Sequence, residues 1–385
     1  MKKFFIDIKS VNKKYIVFSL FILYILNNYL KIVIEKNKYN DGKKFIDKCL
    51  TNLNIKKYDS FPDFPILSVI IPVYNCEKTI LYPISSIQNQ NISNFEIILI
   101  NDFSQDNTSN LIHKMNEYDK RVKIINNKKN MGTLYSRCVG TLISRGKYIF
   151  PLDNDDMIFG EDILDYIFRR ASHDDYDIVG FKAVKVKNYS ENIRKIQDLY
   201  PYKNPNNLIV KQPKLSTWMI TSNNQFNPHD VTLWGKIIKS KVYKKSINLL
   251  GPKRYSLYLS WAEDTSMNFI IYNIAKSYIF IHKYGILHLF SPTTASFTQP
   301  INKNFFGMLF LLDIIFDFSK NNDDKNYSVS AALDIIKEYI KNKSMINKKN
   351  LFYLNNIIIK IMKSKYISKK NKKILKKNWP QIYFE

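Results

Sequence analysis

Leu67-Ser68-Val69-Ile70-Ile71-Pro72-Val73-Tyr74-Asn75 is an apolar, largely β-branched run that stops at two polar residues. A continuous run of this length predicts a strand buried on both faces. Ile80, Ile84 and Ile87 follow at i, i+4 and i+7, the buried stripe of a helix. The alternation then repeats. Strands are expected at Phe95–Ile100, Val122–Ile125 and Tyr148–Leu152, and helices around Leu111, Ile112 and Met115 and around Leu134, Cys138 and Leu142. Such alternation predicts an α/β fold, a mostly parallel sheet flanked by helices. Further helices are expected over Ile158–Phe168, Thr265–Ala275 and Phe305–Phe316.

In open sheets of this class ligands bind beyond the carboxyl ends of the strands. Polar residues gather at those ends: Tyr74-Asn75, Asn101-Asp102, Asn130 and Asp153-Asn154-Asp155-Asp156. Three carboxylates in four residues repel one another unless a cation neutralises them. A hard divalent ion, Mn2+ or Mg2+, has the right chemistry and also bridges phosphates. The competing reading is an acidic start to the next helix. Asp102 either caps a helix or accepts a hydrogen bond from a ligand. Arg137 lies on the third helix, turned to a ligand or to solvent.

Taken in order, these segments resemble family 2 glycosyltransferases of the GT-A fold. Leu67–Asn75 is similar to the family's opening strand. Asn101-Asp102-Phe103-Ser104 resembles its Asp-Asp-Gly-Ser motif, with Asn101 for the first Asp and Phe103 for Gly. Asn130-Met131-Gly132 with Arg137, and Ile149–Asp156, match two further segments. Leu233-Trp234-Gly235-Lys236 resembles the Trp-x-Lys segment, and Trp261-Ala262-Glu263-Asp264 the Glu-Asp motif under the acceptor site.

The resemblance implies a Rossmann-like GT-A domain and a nucleotide-sugar donor, with UDP as the nucleotide. It seats the base with Pro72, Tyr74 and Asp102, held also by Arg137; Asp153 contacts the ribose and Asp155 the metal. Asp264, with Glu263 second, takes the acceptor's proton, giving inversion. Trp234 and Trp261 line the acceptor side. The acceptor is a hydroxyl of a glycan, glycolipid or glycoprotein. No Gln-x-x-Arg-Trp segment is present, so transfer of a single sugar is expected rather than processive synthesis.

The rest of the chain is read around this core. With 385 residues, 45% of them hydrophobic, it can hold one large domain and an appendage. Lys and Arg number 59 against 33 acidic residues, a net charge of +26, but they are spread along the chain; no nucleic-acid partner is expected. Three scattered cysteines suggest neither zinc nor a disulfide framework. Residues 1–14 read as a cytosolic tail and 15–34 as a signal-anchor helix, making a single-pass type II membrane protein facing the ER or Golgi lumen. Residues 35–64 read as a stem, 65–290 as the catalytic domain and 291–385 as a C-terminal helical region. No Gly-rich dinucleotide turn, Walker A loop or nucleophile elbow occurs, which sets aside dehydrogenase, P-loop and hydrolase chemistry. A nucleotidyltransferase also pairs Asp with Mg2+, but lacks a reason for Glu263-Asp264. A catalytically inactive scaffold of the same fold is the alternative from another class.

Overall fold

In the computed structural model the chain alternates as its periodicities dictate. It runs through β1 (Leu67–Val73), α1 (Leu81–Gln88), β2 (Phe95–Asn101), α2 (Thr108–Tyr118), β3 (Val122–Asn126), α3 (Thr133–Ile143) and β4 (Tyr148–Pro151). Next come β5 (Asp156–Ile158), α4 (Ile163–His173), β6 (Ile178–Val186), β7 (Leu208–Lys211) and β8 (Lys236–Lys239). The remainder is α5 (Ser240–Leu250), α6 (Pro252–Tyr255), α7 (Glu263–Ile274), β9 (Ser277–Leu289), α8 (Ile301–Phe318), α9 (Lys348–Lys363) and α10 (Lys369–Asn378). The structure describes residues 58–186, 208–212, 214–217, 231–259, 261–289, 301–319, 348–363 and 369–378. The expected tail, anchor helix and most of the stem lie outside the described residues. Among these residues no helix is long and apolar enough to cross a membrane.

Every residue of β1 and β2 is buried, as their unbroken apolar runs require. β1 pairs in parallel with β2 and with β4, and β2 in parallel with β3. Pro72 is tolerated in this central strand because pairing with β4 ends at Ile70 opposite Pro151. Its missing N–H faces the side where the partner strand has already left. Gly140 lets α3 sit close on the sheet, since a Cβ there would stand 2.6 Å from Ile100 and 2.7 Å from Ile70.

The sheet continues as β4-β8-β6-β9-β5, with β7 paired to β9. β8 is antiparallel to β4 and to β6, β6 and β9 are parallel, and β5 and β7 are antiparallel to β9. Six of the nine strands therefore run one way and three the other: the sheet is mixed, mostly parallel. The expected helix over Ile158–Phe168 is corrected here. Asp156-Met157-Ile158 is a short strand facing His288-Leu287-Ile286, and the helix starts only at Ile163.

α8 packs against α7 and α9. At Gly307 a Cβ would fall 2.2 Å from the carbonyl oxygen of Trp261, so α8 reaches the backbone just ahead of α7. Arg254, Asp313, Asp317 and Lys360 form an ionic cluster joining α6, α8 and α9, with Arg254 Nη2 2.9 Å from Asp313 Oδ2 and Lys360 Nζ 2.9 Å from Asp317 Oδ1. Cys76 and Cys138 are buried free thiols, and burial pushes Cys76 up to about 12.

Candidate active site

The loops after β1 and β2 are laced together before any ligand is considered. Asn75 Oδ1 accepts from Gln105 N (2.7 Å), Ser104 Oγ from Asn75 N (3.1 Å) and Glu77 Oε2 from Asn107 N (2.9 Å). Asn101, where the family motif has Asp, donates to Asn126 Oδ1 (2.9 Å) and accepts from Ser104 N (3.0 Å). An amide gives a donor and an acceptor at once, so this departure is built into the loop rather than leaving a gap.

Asp102 is buried at the end of this strand. Oδ1 accepts from Met131 N and Asn127 Nδ2, both at 2.8 Å, and Oδ2 from Gly132 N at 2.7 Å. Its main work is to fix the turn that starts α3; of about four acceptor positions on a carboxylate, one remains for a ligand. Gly132 sits at φ 90°, a conformation open to glycine, with Tyr258 and Leu259 against its Cα. Pro72 is buried, and its carbonyl accepts from Asn154 Nδ2 at 3.0 Å and so ties the acidic loop to β1.

Arg137 is buried on α3, which sets aside the solvated face as its place. Its Nη2 pairs with Asp153, its Nη1 with Asp264, and Glu263 lies 4.0 Å from Nη1. One guanidinium thus joins the acidic loop after β4 to the first turn of α7. Burial opposes its charge, but Asp264, Asp153 and Glu263 outweigh that and hold its pKa above the ordinary value. Its Nε has no hydrogen-bond partner among the described residues.

Asp264 Oδ2 also accepts from Leu233 N at 3.1 Å, which brings the Leu233–Lys236 segment onto the same turn. Burial raises Asp264, against the pull of Arg137. Glu263 is pushed up to about 7, by burial first and by Asp264 next. Ala262, preceding them, has the left-handed φ of 61°, a strained backbone of the kind found where side chains must be aimed. Trp261 is half-buried beside it.

The acidic loop gains a neighbour that sequence reading left aside. The β5–β9 pairing sets His288 opposite Asp156, with Nδ1 2.9 Å from Asp156 Oδ1. Trp234 stacks on the imidazole, rings 4.8 Å apart and 15° from parallel. Burial works against a charged His288, but Asp156 and then Asp153 and Asp155 raise it to about 9. Asp155 is pushed up to about 7 by burial, then by Asp156 and Asp153. Asp156 Oδ2 is buried without a partner among the described residues. No ready-made cage of three acidic, His or Cys side chains converges among those residues. A carboxylate-rich loop with open positions fits Mn2+ or Mg2+, which keep water and substrate phosphates among their ligands.

Residues 68–232 match the family model described as Glycosyl transferase family 2. An uncharacterized glycosyltransferase of Haemophilus influenzae is 45% identical over 93 residues, 24% of this chain and 29% of the relative. Glycosyltransferase GlyG of Streptococcus pneumoniae serotype 4 is 24% identical over 273 residues, 70% of this chain and 83% of the relative. Among solved structures, S. aureus TarS 1-349 in complex with UDP-GlcNAc superposes with a TM-score of 0.54 at 16% identity, covering 77% of this chain and 80% of that one. That likeness is one of fold. The relatives named are bacterial, so the ER or Golgi setting expected for the anchor finds no support among them. With its ordered strand-end motifs, its mixed sheet and these matches, the chain carries a glycosyltransferase segment of family 2 over residues 68–232, on a fold of GT-A type.

Proposed function

We propose that this glycosyltransferase moves a single sugar from a UDP-sugar to a hydroxyl of a glycan, lipid or protein acceptor, with inversion and with a divalent metal. The observation that carries the reading is the Arg137 bridge, which sets the acidic donor loop and the Glu-Asp motif within reach of one side chain. A donor diphosphate and an attacking hydroxyl have to meet at such a point.

Asp102 and the loops laced to it shape the nucleotide end, and Asp153, fixed by Arg137, faces the ribose. Asp155, with His288 and Asp156 beside it, would hold Mn2+ or Mg2+, which neutralises the charge that develops on the leaving diphosphate. Asp264 accepts the acceptor's hydroxyl proton while that oxygen attacks the anomeric carbon from the face opposite the diphosphate. Glu263, raised towards neutrality, tunes that carboxylate. Trp234 and Trp261 flank the acceptor side. Residues 15–34 tether the enzyme to a membrane.

The test is nucleotide release by the full chain with Mn2+ across UDP-, GDP- and ADP-sugars, with donor binding read in the same samples. Metal-dependent release from one donor, lost in Asp155→Ala, is expected. Asp264→Ala is expected to bind that donor without turnover. If no donor binds with or without metal, the transferase reading fails and an inactive scaffold replaces it.

A further inference from the structure

Three large aromatic side chains stand in solvent around the buried Asp102: Tyr74 is 44% exposed, Phe103 47% and Tyr258 40%. Tyr74 follows β1 directly, and Phe103 follows Asp102. The hydrogen bonds between Asn75 and Ser104–Gln105 hold these two loops together. Tyr258 reaches the same place from the segment after α6, its ring 3.3 Å from where a Cβ on Gly132 would be. Its phenol is raised by burial first and then by the nearby Tyr74 and Asp102, the residue that Phe103 follows.

Phe103 is the unusual member. Its φ is 68°, left-handed backbone that a residue with a Cβ adopts only under constraint, and its neighbour across the loop, Asn75, is at φ 46°. A ring left in water returns little hydrophobic stabilisation. Folding therefore loses twice at Phe103, in backbone and in exposure, and a glycine would relieve both. Such a position is explained by a ligand rather than by the core. The motif that this segment resembles usually has Gly here, where this chain carries a ring.

We propose that Phe103 is a specificity residue of the donor site, a face on which the nucleobase stacks, with Tyr74 and Tyr258 completing an aromatic rim. The inference rests on the donor reading above and names one more residue for it. A nucleobase suits the rim because it presents a flat face to the rings and a polar edge to Asp102. The rim also lies beyond the carboxyl ends of β1 and β2, beside the switch from β1 to β4 in the sheet order.

The test uses the full chain, titrated calorimetrically with UDP, GDP and ADP in Mn2+, and with pyrophosphate as the ligand that has no base. Phe103→Gly is expected to bind the preferred nucleotide about ten-fold more weakly, within the range for losing one base–aromatic stack. Its pyrophosphate affinity and its melting temperature are expected not to fall. Phe103→Tyr keeps a ring and is expected to bind within about two-fold of the parent. Unchanged nucleotide affinity in Phe103→Gly overturns this proposal alone, and so does an equal loss for pyrophosphate. A parent chain that binds none of the three nucleotides brings down the donor reading together with it.

Discussion

Replacing Arg137 with Met would leave Asp153 and Asp264 facing each other with no cation between them. Removing one partner from a buried pair costs about 3–5 kcal/mol, and the lower end applies because Asp153 keeps 29% of its side chain in solvent. Urea unfolding of Arg137→Met should show a loss of that order. Arg137→Lys restores charge but offers one ammonium where two carboxylates need a fork. Its stability should recover most of the way while turnover stays about a hundred-fold down, since a misplaced catalytic geometry is penalised on that scale. The pH profile separates the two acids beside it. A carboxylate base acts deprotonated, and burial raises Asp264, so kcat/KM should rise with pH through a limb above the ordinary carboxylate range. Glu263→Gln should keep reduced turnover with that limb moved to lower pH, and Asp264→Asn should show none from about pH 5 to 9. The reverse pattern would exchange their roles. At this scale the sequence pointed to Asp153, Asp155, Glu263 and Asp264 but not to the burial of Arg137 between them, and it left out His288. A lone Arg on a helix and a lone His between apolar runs carry no periodicity; only the fold says what lies opposite.

Among the elements, β1 to β4 follow from runs of β-branched residues to within a residue at each end, and the helices between them from helical spacing. β5 escaped because three residues are too few for any period, and Asp156 reads equally well as an acidic helix start. The antiparallel half of the sheet escaped for another reason. β8 is only Lys236–Lys239, and its reversal between β4 and β6 is a matter of partners far apart in the chain. The contact of α8 with Trp261 was equally hidden, though it can be tested directly. In Gly307→Ala the new methyl group would meet backbone, which cannot rotate aside. The expected loss is about 1–3 kcal/mol by denaturation, as for other overpacked sites. A larger loss of turnover than of donor affinity would show that the turn bearing Glu263 and Asp264 had moved.

For the molecule as a whole, the proposed metal loop is expected to link stability to metal and to pH. Asp155 is raised in the fold, to about 7 from an ordinary 3.8, so the folded state favours its protonated form. That contribution is complete below the unfolded pKa and is lost as pH rises through the folded one. Without metal the melting temperature should therefore decline across that interval. Mn2+ should restore it by several degrees at pH 8 and by little at pH 5, and Asp155→Asn should abolish the difference. Calorimetric scans with and without the ion decide this. The class of fold was legible because hydrophobic runs set it, and the family because four short motifs kept their order. The identity of the sugar and acceptor was not, since the stretch from Lys185 to Asp230 that should select them shows no recognisable pattern and lies mostly outside the described residues.

The support for Trp261 also has a direction along the chain. Every residue assigned to donor, metal or base lies before Leu289, whereas Gly307 and the Asp313–Lys360 cluster that secures its helix come later in the chain. In chain order the full set of reactive groups therefore precedes the prop behind the Glu263–Asp264 turn. The site is thus buttressed by a part of the chain that contributes no functional residue to it.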